Sequence, residues 1–166
     1  ELVLFSQVGE SGETITVNAE SVGLFSFTSY TNANILYKGA NQGHWHSGGK
    51  DTVILGSGND IVNLNVGHDT VTGGAGNDTI DGGEGIDIAI FSGEKNNYSI
   101  TETGYAQYQV VDNQGTDGTD TLSNIETLRF SDQDFDITPS GQKLEGDSSD
   151  NTLEGAAGDD FIYGYG

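Results

Sequence analysis

Gly73-Gly74-Ala75-Gly76-Asn77-Asp78-Thr79-Ile80-Asp81 governs the reading of the whole chain, because its columns recur every nine residues. Aspartate returns at Asp51, Asp60, Asp69, Asp78 and Asp87. Two places before each aspartate stands a glycine: Gly49, Gly58, Gly67, Gly76 and Gly85. Two places after it stands an apolar residue: Val53, Val62, Val71, Ile80 and Ala89. A fixed short period is the signature of stacked units, each too small to bury a core alone.

The residue types say what the unit does. Glycine permits positive φ and lets two turns approach closely, so Gly73-Gly74-Ala75-Gly76 reads as a tight turn whose carbonyls can face inward. The aspartate that follows sets a hard anionic oxygen beside them. Calcium takes about six to eight such oxygens at roughly 2.3–2.6 Å. The next residues form a short strand, with Ile80 on one face and Thr79 on the other. Leu55 and Leu64 stand where the repeat otherwise begins with glycine, which predicts a wider early core. Ile61 and Ile88 fall on the outward face and are expected to be covered by another segment of the chain.

Other readings of the glycine-rich ladder fail. A flexible linker does not hold an apolar residue at one phase through five units. No D-x-D-x-D-G loop ends in a glutamate, as a helix–loop–helix calcium site requires. No G-K-[ST] follows the glycines, so they do not cradle phosphate. Neither H-E-x-x-H nor G-x-S-x-G is present, so the corresponding hydrolase motifs are missing. His44-Trp45-His46 reads as the capped start of the stack, ahead of a transition-metal site. Trp45, Tyr98, Tyr105 and Tyr108 read as packing aromatics, ahead of a sugar-stacking platform.

The chain has 166 residues, with 26 Asp and Glu against five Lys and Arg, for a net charge of −21. That excess argues against nucleic-acid binding and against anionic membrane surfaces. It predicts self-repulsion that bound cations relieve. With 26 glycines the unfolded state is favoured as well, so metal binding is expected to be coupled to folding. There is no cysteine, hence no disulfide framework or thiolate site. No signal peptide or apolar membrane span is visible, and membrane insertion is not expected. The chain reads as a piece of a larger protein.

Along the chain, residues 1–45 carry alternating apolar runs (Leu2–Phe5, Thr14–Val17, Gly23–Phe27, Asn34–Tyr37) and are expected to form a β segment capping the stack. Its end, residues 37–45, reads as a degenerate repeat without the charged ligand; stepping back by nines places His44 in the column of Val53 and Val62. Residues 46–90 hold the five repeats. Residues 91–145 break the period, with a β-hairpin expected from Tyr98–Glu102 and Tyr105–Val111 around Gly104. Residues 146–166 restart it, with Asn151 at one ligand position and Asp160 at the next.

Residues 46–90 and 146–166 resemble the RTX (repeats-in-toxin) family of calcium-binding bacterial exoproteins. The stretch Tyr98–Asp132 is similar to the non-repetitive segment that follows such repeats. The resemblance implies an all-β fold, a parallel β-roll of nonapeptide repeats with flanking β-strands and a β-hairpin insertion. Two repeats make one coil, so Asp51, Asp69 and Asp87 would line one edge and Asp60 and Asp78 the other, with calcium between turns. Glycine-turn carbonyls would complete the shell, which nominates Gly56, Gly58, Gly74, Gly76, Gly83 and Gly85, with Gly49 and Gly67 in the same column. Ser47 and Asn65 replace the second glycine of their units and His46 the first, which weakens the earliest site. Asp160 is the ligand of the last array.

The family further implies type I secretion and folding on external calcium. The function expected is a non-catalytic calcium-binding module of a large secreted or surface protein such as an adhesin. The alternative is an accessory module of a secreted polysaccharide-modifying enzyme, protease or lipase. Calcium is the expected partner, and a cell-surface glycan or peptide remains an open partner class.

Overall fold

The computed structural model describes residues 50–141 and 160, together with strand residues 2–5, 14–18, 25–28, 34–38, 143–145 and 161–163. The period-nine pattern becomes a coil of three-residue strands: β5 (Thr52–Ile54), β6 (Ile61–Asn63), β8 (Thr70–Thr72), β9 (Thr79–Asp81) and β11 (Ile88–Ile90). A two-residue strand, β7 (Val66–Gly67), precedes β8, and another, β10 (Glu84–Gly85), precedes β11. Successive repeats alternate between two sheets. In one, β5, β8 and β11 lie side by side and parallel; in the other, β6 lies parallel to β9. Partners are therefore 18 residues apart, as in Val53↔Val71 and Val62↔Ile80.

Alternation along each strand fills the space between the sheets. Val53, Val71 and Ala89 from one sheet and Val62 and Ile80 from the other are all buried. Leu55 and Leu64 are buried too, as a wider early core requires. The outward face departs from expectation at Ile61, which is 53% exposed, whereas Ile88 is partly buried. Ile61 stands between Leu36 and Thr79 in the ladder, and no described residue folds over it.

Ahead of the repeats, β1 (Leu2–Phe5) and β3 (Phe25–Thr28) extend the first sheet, and β2 (Thr14–Asn18) and β4 (Asn34–Lys38) the second, all in parallel. Their spacing is longer than nine. Val62 pairs with Tyr37, 25 positions earlier, and not with His44. Of the degenerate repeat expected at 37–45, Tyr37 and Lys38 belong to β4; residues 39–45, and His46 after them, lie outside the described residues.

The stretch after the repeats does not leave the roll. The strand β14 (Thr119–Ser123) pairs parallel with β9, and β15 (Thr127–Arg129) pairs parallel with β11, so they form one more coil. Between β11 and β14 the chain inserts the expected hairpin, β12 (Tyr98–Gly104) and β13 (Gln107–Asp112). Its turn is centred on Tyr105-Ala106 and not on Gly104; Ala106 carries the positive φ of 52°, and Gly104 follows a bulge at the end of β12. The strand β13 pairs antiparallel with β14, and β16 (Asp134–Asp136) pairs antiparallel with β15, which ends both parallel sheets. Phe91, Tyr98 and Phe130 pack ring against ring at 4.9–5.4 Å beneath this end. In the second array, β17 (Lys143–Glu145) pairs parallel with β18 (Phe161–Tyr163), Leu144 opposite Ile162. That 18-residue step starts the array just ahead of Gly146.

Candidate metal centres at the two edges of the roll

The turns between strands stack into two edges. Asp51, Asp69 and Asp87 lie on one and Asp60 and Asp78 on the other, all buried despite their charge. A carboxylate oxygen of each later aspartate accepts the backbone N–H of the aspartate 18 residues before it. Asp51 N–H donates to Asp69 Oδ1 at 2.7 Å, Asp69 N–H to Asp87 Oδ1 at 2.7 Å, and Asp60 N–H to Asp78 Oδ1 at 2.8 Å. Asp69, Asp78 and Asp87 are thereby fixed in direction, with one oxygen of each committed to the ladder.

The second oxygens of Asp69, Asp78 and Asp87 are buried with no hydrogen-bond partner. A buried polar atom left unmatched costs about 1–3 kcal/mol, and more when charged. Burial accordingly pushes the carboxyl of Asp69 up to about 7, that of Asp78 to about 7 and that of Asp87 to about 6. The backbone N–H bonds pull the other way, and neighbouring carboxylates add to the rise. A bound cation would reverse this balance by favouring the charged form.

Backbone oxygens supply the other half of the arrangement. A side chain at Gly74 would collide with the Gly56 carbonyl oxygen, and one at Gly76 with that of Gly58. On the opposite edge, Gly83 meets the Asn65 carbonyl and Gly85 that of Gly67. All four glycines have positive φ, between 89° and 146°. The turns thus file carbonyl oxygens along each edge beside the buried carboxylates. Among the described residues no three His, Cys, Asp or Glu side chains converge on one point. A cation here draws most of its shell from the backbone, and an all-oxygen set of this kind suits calcium over softer ions.

Residues just before the aspartates add further rungs. Asn77 N–H donates to Asn59 Oδ1 at 2.8 Å, and Ile86 N–H to His68 Nδ1 at 2.9 Å. His68 therefore has a structural partner on the roll edge. Asn65, with φ of 66°, takes the left-handed turn position that glycine holds elsewhere, and its carbonyl accepts from Glu84 N–H. Asp160 is partly buried just ahead of β18, while Gly49 lies outside the described residues.

Two further rungs are hidden from the nine-residue count. Asp78 N–H donates to Asp120 Oδ1 at 2.8 Å, and Asp87 N–H to Glu126 Oε2 at 2.7 Å. The insertion breaks the nine-residue count, yet Gly118-Thr119-Asp120-Thr121-Leu122 repeats the glycine, aspartate and apolar columns in order.

A family model describes this pattern. The RTX calcium-binding nonapeptide repeat matches in four copies, over residues 47–62, 56–89 and 143–166. Residues 47–89 and 143–166 thus match RTX repeats, and RTX nonapeptide repeats bind calcium. No curated protein matches the chain. Among solved structures, the extracellular lipase LipA from Serratia marcescens superposes with a TM-score of 0.51 at 20% identity, over 81% of this chain. The matched part is 26% of the lipase chain, so the likeness concerns the fold, a parallel β-roll.

Proposed function

We propose that this chain is a non-catalytic RTX module that folds on binding calcium outside the cell, as part of a larger secreted or surface protein. One observation carries the reading: buried aspartates whose second oxygens lack partners run beside files of backbone carbonyl oxygens. Without an ion such an arrangement opposes folding, and with one it drives folding. At a calcium concentration a hundred times Kd, each site would add about 2.7 kcal/mol to the folded state. Extracellular calcium modules typically bind at about 10⁻⁴–10⁻³ M, which matches an ion that is scarce inside the cell and plentiful outside.

The ligands we assign are Asp51, Asp69 and Asp87 on one edge and Asp60 and Asp78 on the other, with Asp160 in the last array. Carbonyls of Gly56, Gly58, Gly67, Gly74, Gly76, Gly83 and Gly85 complete the shells. An adhesin is one parent for such a module. The likeness to the roll of a secreted lipase favours a second, an accessory module beside a catalytic domain.

Calcium counting by equilibrium dialysis tests the assignment. Asp78→Ala should lower the number of bound ions and weaken the rest cooperatively, because stacked turns couple through their neighbours. Unchanged stoichiometry in Asp78→Ala would remove Asp78 from the ligand set.

A further inference from the structure

Around Asp120 the non-repetitive segment copies the repeat geometry of one edge. Asp78 N–H to Asp120 Oδ1 has the same 2.8 Å length as Asp60 N–H to Asp78 Oδ1. Thr119 N–H donates to Asn77 Oδ1 at 2.8 Å, as Asn77 N–H does to Asn59 Oδ1. Thr121 N–H donates to the Asp78 carbonyl at 2.8 Å, as Thr79 N–H does to that of Asp60. Gly118 holds φ of 83° and sets its bare Cα against the Gly76 carbonyl oxygen, as Gly76 does against Gly58. The copy departs at Thr116, whose carbonyl accepts from Gly76 N–H of the earlier turn at 3.3 Å, whereas between repeats Ala75 N–H of the later turn donates to the Gly56 carbonyl of the earlier one at 2.9 Å.

A hydrogen-bonding cap alone does not require a charge here, since an asparagine would accept from Asp78 N–H equally well. Yet Asp120 is 3% exposed and Asp78 2% exposed, and the second oxygen of Asp78 has no partner. No lysine or arginine among the described residues acts on either carboxylate; the neighbouring charges are those of Asp60, Asp112 and Asp117. Asp117 is committed elsewhere, accepting from Tyr98 O–H at 2.6 Å, Ser92 N–H at 2.8 Å and Ser92 O–H at 2.7 Å. Asp112 accepts the N–H groups of Gln114, Gly115 and Asp117. Two buried carboxylates therefore meet at an edge lined with carbonyls, with no cationic side chain among the described residues to balance them, and their charge calls for a cation.

We infer that a calcium ion binds between the Gly73–Asp78 turn and the Thr116–Asp120 turn, held by the carboxylates of Asp78 and Asp120 and by backbone carbonyls that include that of Gly76. The site lies partly outside the nonapeptide array, since residues 90–142 have no match to the repeat. It ties the last coil and the β12–β13 hairpin to the calcium-loaded edge. The inference rests on the calcium reading of the ladder, and the test separates the two.

Asp120→Asn keeps the acceptor for Asp78 N–H and removes the charge; Asp69→Asn does the same inside the repeats. Ions are counted by equilibrium dialysis at saturating calcium, with circular dichroism to check the fold. Asp120→Asn should hold one ion fewer than the parent, or bind it at least tenfold more weakly, with an unchanged β spectrum. Full stoichiometry in Asp120→Asn beside a loss in Asp69→Asn overturns the extra site and leaves the ladder standing. No loss in either variant overturns both. Should Asp120→Asn fail to fold, terbium luminescence excited through Tyr98, which bonds Asp117 beside this edge, decides the matter. A drop in Tyr98→Phe supports the site, and undiminished emission overturns it.

Discussion

At the scale of single residues, each buried aspartate serves two needs of opposite sign. Its Oδ1 satisfies a backbone donor, while its charge is costly until an ion arrives. Asp69→Asn separates them, because asparagine keeps the acceptor for Asp51 N–H. The metal-free variant should be more structured than the parent and the calcium-saturated variant less stable. Thermal unfolding with and without chelator reads both signs. The pH dependence follows the same logic. The carboxyls of Asp69, Asp78, Asp87 and Asp120 rise from 3.8 to between about 6 and about 8 in the fold, burial being the largest cause. Folded-state values above the unfolded one mean the fold holds extra protons. Their stabilising effect is full below about pH 4 and is lost as pH rises through 6 to 8. Metal-free protein should therefore show more β structure at pH 5 than at pH 8 by circular dichroism, and the calcium midpoint should fall over the same range. Glycine matters in the same turns. Gly76→Ala would place a methyl group on the Gly58 carbonyl at a φ of 121°, so calcium affinity should drop severalfold or more.

At the scale of elements, a buried network ties the hairpin to the roll in addition to the β13–β14 pairing. Tyr98 O–H donates to Asp117 and accepts from Gly93 N–H at 2.9 Å. Tyr98→Phe strips both bonds while keeping the ring among Phe91 and Phe130, and should cost about 1–3 kcal/mol in denaturant unfolding at saturating calcium. Leu122→Ala, in the extra coil, opens a fully buried position and should cost about 2–5 kcal/mol by the same measure. The core positions Val53, Val62, Val71, Ile80 and Ala89 were legible in the sequence, because strand alternation and a constant period place them without tertiary information. The split of the aspartates into two edges came with the family resemblance, which implies two units to a coil. The extra coil was not legible, although its columns are visible at Gly118, Asp120 and Leu122. Asp120 stands 42 residues after Asp78, and Glu126 stands 39 after Asp87. Neither is a multiple of nine, because the hairpin between β11 and β14 lies within both intervals. The pairing of Tyr37 with Val62 was hidden for a related reason, since the connection between β4 and β5 is longer than those between the later coils.

At the scale of the molecule, the net charge of −21 and the 26 glycines oppose compaction together. A roll built on many small units has no large core to offset them, and stability must come from stacking and from ions shared between turns. Calcium should act as an all-or-none switch over the repeats and the extra coil, since each ion bridges neighbouring turns. Far-UV circular dichroism, followed while calcium is titrated into chelator-treated protein at pH 7.5, tests this most directly. The expected result is a disordered spectrum without calcium and a single cooperative rise to a full β spectrum as the ion is added. A full β spectrum in excess chelator, unchanged by calcium, would contradict the coupling of binding to folding.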